Sequence, residues 1–567
     1  MKTPRSHLSL FVLVLLVACS PSAKLNKENL SLENKLRAHV GYLADDKLEG
    51  RRTGTAGEKL AAEYISQKFQ NLGLTPKGTD GFLQAFSVNE GKKMKEETSL
   101  IIAEKNMTAG KDFFVFPFSA NGTIQGQITI GVLEVGSPWF IDVNTVIEDN
   151  ASNPHFDLPG YVYDFSKIAK QKGATAVFWY NSGNKEDKLT FNAKDKSPVL
   201  TLPVFYLQKS AYAHTLMQEV ASLNIKASAM LGDKIRSGTN VVGFIDNGAA
   251  NTIVLGAHFD HLGYGEDGNS RYARQGSGPY NVTDIHNGAD DNASGAATML
   301  ELASLLKASK AKNNNYLFIA FSGEELGLYG SKHFTDNPTI DLKSINYMIN
   351  MDMVGRLNDS TKALTIGGYG TSPVWASMIS QVQGDQKPSM SSKAAGAFQI
   401  KIDSAGSGPS DHTSFYRKDI PVLFYFTGLH TDYHKPSDDA NLINYAGMVK
   451  ILRHVQGVVE KTNESGKLSF LKTKEAQTTT TARFSVSMGI MPDYTYSGNG
   501  VRADGVTEGR PAQKAGLKAG DIILQIGDYK ISSMEAYMQT LGKFKKGDST
   551  SVIYQRGKEQ FTVNIQF

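Results

Sequence analysis

The chain has almost no cysteine, and this scarcity excludes several kinds of site. Cys19 is the single cysteine among 567 residues. A disulfide framework therefore cannot form within the chain, and an iron–sulfur cluster or a cysteine-rich zinc site would lack its thiolate ligands. Any metal site must be built from imidazole nitrogens and carboxylate oxygens.

Two common hydrolase motifs are missing as well, and the net charge is low. The chain contains neither the His-Glu-x-x-His motif of a helical zinc site nor the Gly-x-Ser-x-Gly motif of a serine nucleophile elbow.

The net charge of +4 is small for this length and gives no indication of nucleic-acid binding. With 40% apolar and 20% charged residues, the composition is that of a globular protein long enough for three or four domains.

The N-terminus has no apolar segment long enough to span a bilayer. Residues 1–18 begin with basic residues and end in an apolar run from Leu8 to Ala18. This run is shorter than the about 20 residues that a membrane helix needs, so residues 1–18 predict a signal peptide.

Leu16 to Cys19, "LVAC", resembles the lipobox of bacterial lipoproteins. This implies a lipid on Cys19 and a place in the bacterial cell envelope, on the periplasmic side or at the outer membrane. A cleaved signal with a chance cysteine is the alternative. The polar residues 19–34 predict a tether.

The next two segments differ in their predicted secondary structure. Residues 35–114 are expected to form the N-terminal part of the main domain, with a helix whose apolar positions run from Leu60 to Leu72 and which ends at Gly73. Residues 115–237 contain short β-like runs such as "GQITIGVLEV" and "ATAVFWYN", with one short helix from Phe165 to Lys172. The sequence therefore predicts a β-rich module inserted into the main domain.

Residues 238–465 alternate apolar runs of strand length with helical stretches. The runs are "VVGFI", "TIVLGAHFD", "YLFIAFSGEE", "INYMINMDM", "LTIGGY" and "PVLFYF". This alternation predicts an α/β fold with a mainly parallel sheet flanked by helices. In such sheets ligands bind beyond the carboxyl ends of the strands.

Polar side chains with metal-binding atoms follow these strands. They are His258, Asp260 and His261; Asp290 and Asp291; Glu324 and Glu325; Asp352; and His430, His434, Asp438 and Asp439. One such residue would usually be structural, and two acids at a helix start also suit the helix dipole. Five strand or loop ends of this kind together indicate a site for zinc or a similar divalent cation.

The motifs at these positions resemble those of metallopeptidase family 28, the two-zinc aminopeptidases. They are "HFDH", "GADDNASG", "SGEELGLYGS", "NMDMVG" and "DYHKPSDD", in this order. The segment "LEGRRTGTAGEKLAAEYISQKF" resembles the opening helix of the family. The resemblance implies the zinc exopeptidase fold, two Zn²⁺ ions as cofactors, and hydrolysis of N-terminal residues from peptide substrates.

The resemblance also implies five metal ligands and three catalytic residues. His258 and Asp352 would hold one ion, Glu325 and His434 the other, and Asp290 would bridge the two. Glu324 would act as the general base, Asp260 would orient the His258 imidazole, and Tyr433 would steady the oxyanion or pack against the site. Supporting or structural roles are expected for the other polar residues nearby: His261, His286, His412, His430 and Asp291.

Two further resemblances concern the flanking segments. Within residues 115–237, "DFSKIAKQKGATAVFWYNS" resembles the protease-associated domain, which implies a non-catalytic packing role. Residues 466–482 predict a Thr-rich linker. In residues 483–567, "PAQKAGLKAGD" resembles a PDZ domain, which implies either a C-terminal peptide as ligand or a spacer.

Three alternatives to an aminopeptidase stay open. A carboxypeptidase or a glutaminyl cyclase shares most of the ligand positions. A catalytically dead, peptide-binding lipoprotein is the alternative from another class. The complete ligand set and the presence of Glu324 argue against the dead form.

Overall fold

The computed structural model describes most of the chain. The described residues are 21–151, 156–193, 195, 197–209, 211, 223–272, 284–383, 398–473, 486–492, 499–506, 509–532 and 534–567. The predicted signal peptide, residues 1–18, and Cys19 lie outside them. None of the helices in these ranges is long and apolar enough to cross a membrane.

The segment predicted as a tether is largely helical. Helix α1 spans Pro21–Leu43 and has a buried apolar stripe at Leu32, Leu36, Val40 and Leu43. The spacing of three or four residues places these side chains on one face of the helix. The prediction of a tether over residues 19–34 is therefore corrected. The polar first turns of α1 gave no apolar period from which the helix could be read.

The second helix agrees with its predicted end. Helix α2 spans Ala56–Asn71, and the side chain of Thr55 accepts a hydrogen bond from the backbone N–H of Glu58 at its start. Gly73 follows the helix with φ 65°. Strands β1, Thr75–Pro76, and β2, Leu83–Met94, come next.

The chain divides into two compact units, residues 1–86 with 237–567, and residues 87–236. The second unit has two four-stranded sheets, in the orders β4-β3-β10-β6 and β5-β9-β8-β7. Its strands are β3 Ser99–Ile102, β4 Lys105–Met107, β5 Phe113–Val115, β6 Gly122–Ile128, β7 Pro138–Asp142, β8 Ala176–Tyr180, β9 Val204–Leu207 and β10 Leu223–Ala229. The unit begins before the predicted residue 115 because the first of its strands precede that position.

Two helices belong to the second unit. They are α3, Val143–Asp149, and α4, Leu158–Gln171. Helix α4 starts earlier than the predicted Phe165, because Asp157 accepts a hydrogen bond from the backbone N–H of Gly160 and so caps the helix. The likeness of this β-rich unit to a protease-associated domain stays a prediction.

The first unit is built on a nine-stranded mixed sheet with a parallel centre. Its remaining strands are β11 Leu231–Ile245, β12 Asn251–His258, β13 Asn314–Phe321, β14 Ile345–Met351, β15 Ala363–Gly367, β16 Gln399–Ile402 and β17 Val422–Phe426. The order is β1-β11-β13-β12-β14-β17-β15-β16, and β2 pairs with β11. Pairing is parallel from β13 through β12 and β14 to β17. The carboxyl ends of these four strands therefore meet at one edge.

Helices cover this sheet and bury both of its faces. They are α5 Gly295–Ala308, α6 Tyr329–Asp336, α7 Trp375–Val382, α8 His412–Tyr416 and α9 Tyr445–Lys461. Along β12, Ile253 and Leu255 belong to one apolar cluster, whereas Val254 belongs to another. Two buried faces are typical of parallel sheets covered by helices, and the predicted α/β fold is confirmed.

The C-terminal part forms a separate sheet. Its strands are β18 Ile490–Pro492, β19 Val501–Val506, β20 Ile522–Ile526, β21 Tyr529–Lys530, β22 Ser549–Arg556 and β23 Glu559–Gln566, and its helices are α10 Pro511–Lys514 and α11 Met534–Leu541. The predicted linker, residues 466–482, starts too early, because Leu468 is buried in the core and Leu471 donates its N–H to Thr371 O. Residues 474–485 lie outside the described ranges.

Candidate metal centre

Strand ends bring the predicted polar residues together at one edge of the sheet. His258 is the last residue of β12, and it lies in register with Phe321, the last residue of β13. After Phe321 the chain turns at Gly323, where φ is 70°, and Glu324 and Glu325 follow. Asp352 follows β14 directly. Parallel pairing thus places these residues side by side, although they are far apart in sequence.

The carboxylate of Asp291 lies between two histidines. Its Oδ1 is 3.3 Å from His258 Nε2, and its Oδ2 is 3.3 Å from His434 Nε2. Each imidazole also has its own acidic partner: Asp352 Oδ1 is 3.4 Å from His258 Nε2, and Glu325 Oε2 is 3.2 Å from His434 Nε2. One carboxylate with an oxygen directed to each half of the site is the arrangement of a bridging ligand.

The prediction that Asp290 bridges the two halves is contradicted by this geometry. Asp290 Oδ1 accepts hydrogen bonds from the backbone N–H of Gly355 at 2.6 Å and from Ser294 Oγ at 3.0 Å. Its Oδ2 lies 3.2 Å from His430 Nε2. Neighbouring residues in this irregular turn point in different directions, so of the two aspartates only Asp291 faces His258 and His434. The expectation that Asp291 is merely structural is corrected by the same observation.

The turn that carries both aspartates is held from the last loop of the site. Asp438 Oδ2 accepts the backbone N–H groups of Asp290 and Asp291, at 2.9 and 3.0 Å. The peptide bond from Asp291 to Asn292 is cis. Asp438 is fully buried, so its carboxylate fixes the turn from within the protein.

Asp260 supports the first half of the site through two different groups. Its backbone carbonyl lies 3.1 Å from His258 Nδ1, whereas its carboxylate Oδ1 is 3.7 Å from that atom. The carboxylate instead accepts the backbone N–H of Glu324 at 3.2 Å and the Thr53 hydroxyl at 2.9 Å. The Asp260 carbonyl therefore orients the His258 imidazole, and the Asp260 side chain fixes the backbone at Glu324.

His261 supports the second half more closely than the sequence suggested. Its Nδ1 lies 2.8 Å from Glu325 Oε1, and its ring is completely buried. Gly288 makes room for that ring, since a Cβ at Gly288 would lie 2.4 Å from His261 Cδ2. His434 Nδ1 lies 2.9 Å from Asn269 O, which leaves its Nε2 directed to Asp291 and Glu325.

The charges of this centre favour a bound cation. Burial lowers the pKa of His434, but Glu325 and Asp291 outweigh it and raise the pKa to about 10. Burial raises the pKa of Glu325, but His434 outweighs it, and the pKa falls to about 2. Two groups of side chains bring their ligand atoms within 4.8 Å of one another, namely His258, Asp291 and Asp352, and His261, Asp291 and Glu325. Buried imidazoles and carboxylates at this spacing fit zinc, which prefers such donors.

Glu324 lies beside this centre. Its Oε2 is 3.9 Å from His258 Nε2, farther than the carboxylates of Asp291 and Asp352. Burial raises the pKa of Glu324, and the charges of Glu325 and Asp352 add to this against the opposing charge of His258. A carboxyl group of raised pKa next to a cation site suits proton transfer.

Comparisons with known proteins give matches for both the sheet domain and the C-terminal part. Residues 240–459 match the model of peptidase family M28, and residues 486–567 match that of the PDZ domain. The domain that contains residues 240–459 belongs to peptidase family M28. The chain is 25% identical over 409 residues to aminopeptidase YwaD of Bacillus subtilis, covering 70% of this chain and 77% of the relative.

Two further relatives cover different shares of their own length. The chain is 28% identical over 220 residues to a probable leucine aminopeptidase of Arthroderma otae, or 37% of this chain and 53% of that protein. The structure of BSAP, a zinc aminopeptidase from Bacillus subtilis, covers 78% of this chain and 96% of its own, with 20% identity and a TM-score of 0.41. The predicted M28 and PDZ assignments are confirmed.

Tyr433 lines the pocket of the M28 domain next to the metal centre. Its ring stacks on the ring of His434 with centroids 3.9 Å apart, and the Arg271 guanidinium lies 4.7 Å from its centroid. This position is compatible with either predicted role, a polar contact to the substrate or packing against His434.

The remaining histidines near the site have supporting positions. His286 Nε2 lies 2.7 Å from Ser270 Oγ, and burial lowers the pKa of His286 to about 4. His412 stacks on Phe424 with centroids 4.5 Å apart, and burial lowers its pKa to about 3. His430 lies beside Asp290, as described above, rather than beside Asp291.

Arg51 is a residue of the first unit whose role the sequence did not reveal. Its side chain is fully buried and donates hydrogen bonds to Phe259 O and Asn287 O at 2.6 Å and to Gly288 O at 3.0 Å, and also to Leu43 O. It thereby joins the loop after β12 to the turn that leads to Asp291. The only signal in the sequence was its place in "LEGRRTGT", which was assigned to the opening helix.

Proposed function

We propose that this protein is an aminopeptidase that removes N-terminal residues from peptides with the help of two zinc ions. The observation that carries the proposal is the Asp291 carboxylate, whose two oxygens face His258 and His434. The M28 match confirms the prediction of a zinc-dependent exopeptidase. The aminopeptidases of Bacillus subtilis and Arthroderma otae among its relatives support release from the N-terminus.

The ligand assignment follows from the two halves of the centre. His258 and Asp352 would hold one ion, His434 and Glu325 the other, and Asp291 would contact both. Zinc bound there would polarise the scissile carbonyl group and lower the pKa of a water molecule toward neutrality. His261 keeps one oxygen of Glu325 occupied, so that Oε2 is left for the His434 side of the site.

Glu324 performs the proton transfers in this proposal. Its Oε2 lies 3.9 Å from His258 Nε2, and its backbone is fixed by the carboxylate of Asp260. Glu324 accepts the proton of the attacking water and then delivers it to the nitrogen of the leaving amine. In this proposal Tyr433, which lines the pocket next to His434, would donate a hydrogen bond to the developing oxyanion.

Zinc content and substrate class test the proposal together. Purified protein should contain close to two zinc ions per chain and should hydrolyse amino-acid arylamides but not their N-acetylated forms. Cleavage of C-terminal residues instead would identify a carboxypeptidase. Cyclisation of N-terminal glutamine with one tightly held ion would identify a glutaminyl cyclase. Zinc-loaded protein that turns over none of these substrates would leave the peptide-binding alternative.

We also propose that Cys19 carries a lipid anchor that holds the enzyme in the cell envelope. The "LVAC" segment supports this, and Cys19→Ala should leave a precursor that is no longer lipid-modified. Lipid still attached to that variant would refute the anchor at Cys19.

The PDZ domain is proposed to bind a C-terminal peptide rather than to serve catalysis. Its family match supports a peptide ligand, and the metal ligands all precede it in the sequence. Removing residues 478–567 should therefore spare cleavage of small arylamides. Complete loss of that activity would mean that this region completes the active site or the fold.

A further inference from the structure

The pocket that contains the metal centre extends along an apolar wall. Phe424 and Phe426 line this wall together with Met353 and Leu429. The rings of Phe424 and Phe426 are nearly parallel, with centroids 5.8 Å apart and an interplanar angle of 16°. If the protein is an aminopeptidase as proposed above, the side chain of the substrate's N-terminal residue lies against this wall.

A glycine leaves space in the pocket beside Phe424. Gly367, the last residue of β15, pairs with Phe424 across the sheet and also lines the pocket. A Cβ at this position would lie 3.3 Å from Phe424 Cβ, so a larger side chain would fill the space over the ring. The backbone N–H of Asp403 donates to Ile366 O at 3.1 Å, which fixes Asp403 beside this gap.

Asp403 brings a negative charge to this apolar region. Among the described residues that line the pocket, it is the only acid outside the metal centre. Its Oδ1 accepts the backbone N–H of Ala405 at 2.9 Å. Burial raises the pKa of Asp403, and the described residues give its carboxylate no cationic partner. Asp403 is half-buried, so a cation from outside the protein would offset the cost of partly burying its charge.

We propose that Asp403 binds the ammonium or guanidinium group of an N-terminal lysine or arginine, so that the preferred substrates are peptides with a basic first residue. The alkyl stem of such a residue packs on Phe424 and Phe426. Its charged end reaches past Gly367 to Asp403 and forms a charge-assisted hydrogen bond. Arg271, the arginine that lines the same pocket, lies against Tyr433 near His434. This inference rests on the proposed aminopeptidase function.

A comparison of lysine with norleucine isolates the charge, because norleucine has the same four-carbon stem without the amine. The zinc-loaded full chain is assayed with lysine, arginine, norleucine and leucine arylamides. The kcat/KM for lysine should exceed that for norleucine by about 10-fold or more. Asp403→Asn should lower the lysine-to-norleucine ratio about 10- to 100-fold, the range for one hydrogen bond to a charged group.

Asp419→Asn serves as the matched control. Asp419 is exposed in the same domain and does not line the pocket, and its φ of 59° suits asparagine as well as aspartate. This variant should keep the parent's ratio, which excludes a general effect of lost negative charge.

Three results would overturn the inference. Equal kcat/KM for the lysine and norleucine arylamides would show that no acidic residue binds the charged end of the substrate side chain. Cleavage of the leucine arylamide in the same assay would keep the proposed aminopeptidase function intact. An equal loss on all four substrates in Asp403→Asn would assign Asp403 to the α-amino group instead. Failure to hydrolyse any arylamide with zinc bound would remove the aminopeptidase function and this inference with it.

Discussion

The backbone N–H of Glu324 donates a 3.2 Å hydrogen bond to the carboxylate of Asp260. The imidazole of His258, which was expected to contact this carboxylate, lies against the Asp260 carbonyl instead. The Asp260 side chain therefore positions Glu324, the proposed catalytic base, and the Asp260 backbone positions His258, a proposed metal ligand. These two tasks can be separated by mutation, because a side-chain change leaves the carbonyl in place.

Asp260→Ala should lower kcat by about 10- to 100-fold while the zinc content stays near that of the parent. Asp260→Asn should restore most of the rate, because its oxygen can accept the Glu324 N–H and its amide can donate to Thr53. Kinetics and zinc analysis of both variants check this. Loss of zinc in Asp260→Asn would show that the carboxylate charge orients His258 after all.

The two adjacent glutamates should respond differently to the same change. Glu324→Gln keeps size and polarity but cannot accept a proton, so turnover should fall at least about 10²-fold with zinc retained. Glu325→Gln should weaken zinc binding itself, because the Glu325 carboxylate faces His434. Zinc titration in the presence of a competing chelator separates the two outcomes. Zinc loss in Glu324→Gln with retention in Glu325→Gln would exchange the roles.

Arg51 should matter for stability far more than its neighbour. Arg51→Gln leaves buried carbonyl groups without a donor and should lower the free energy of unfolding by about 3 kcal/mol or more. Arg52 forms a partly exposed ion pair with Asp267 at 2.8 Å, so Arg52→Gln should cost about 1 kcal/mol or less. Denaturant unfolding of both variants without zinc measures this. Equal effects would contradict the role assigned to Arg51.

His454 should make the fold sensitive to acid. Burial lowers its pKa from 6.5 to about 4, so the unfolded chain binds the proton more readily. The neutral ring contributes stability above pH 6.5, and this contribution is lost as the pH falls toward 4, reaching about 2 kcal/mol of loss at pH 5. His454→Phe should flatten the decline in unfolding free energy between pH 7 and 5.

Tyr425→Phe is the control for that experiment. The Tyr425 hydroxyl lies 3.1 Å from His454 Nδ1, so this variant removes the contact but keeps the titrating group. Its decline between pH 7 and 5 should match that of the parent when both are measured in chelator. A His454→Phe variant that declines as steeply as the parent would show that other groups dominate the acid response.

The sequence predicted which residues lie at the functional edge of the sheet better than it predicted the contacts those residues make. Apolar runs such as "TIVLGA" are long enough to identify β12, and parallel pairing then places His258 near Glu325 and Asp352 without further information. The choice between Asp290 and Asp291 could not be made this way, because both residues are aspartates and the irregular turn has no period from which a direction can be read.

Side chains that act through backbone atoms were the hardest to predict. Arg51 binds carbonyl groups, which every residue carries, so no residue pattern marks its partners. The "HFDH" motif places His261 near the site, but its contact with Glu325 depends on the space beside Gly288. The fold thus followed from periodicity, whereas these contacts depend on the conformation of individual loops.

The most direct test of the account compares the zinc content of Asp291→Asn with that of Asp290→Asn. Both variants remove one negative charge from adjacent, buried positions. Because only Asp291 faces both His258 and His434, Asp291→Asn should lose at least one of the two zinc ions after dialysis against a weak chelator, and Asp290→Asn should keep both. Retention of both ions by Asp291→Asn together with their loss from Asp290→Asn would contradict the account.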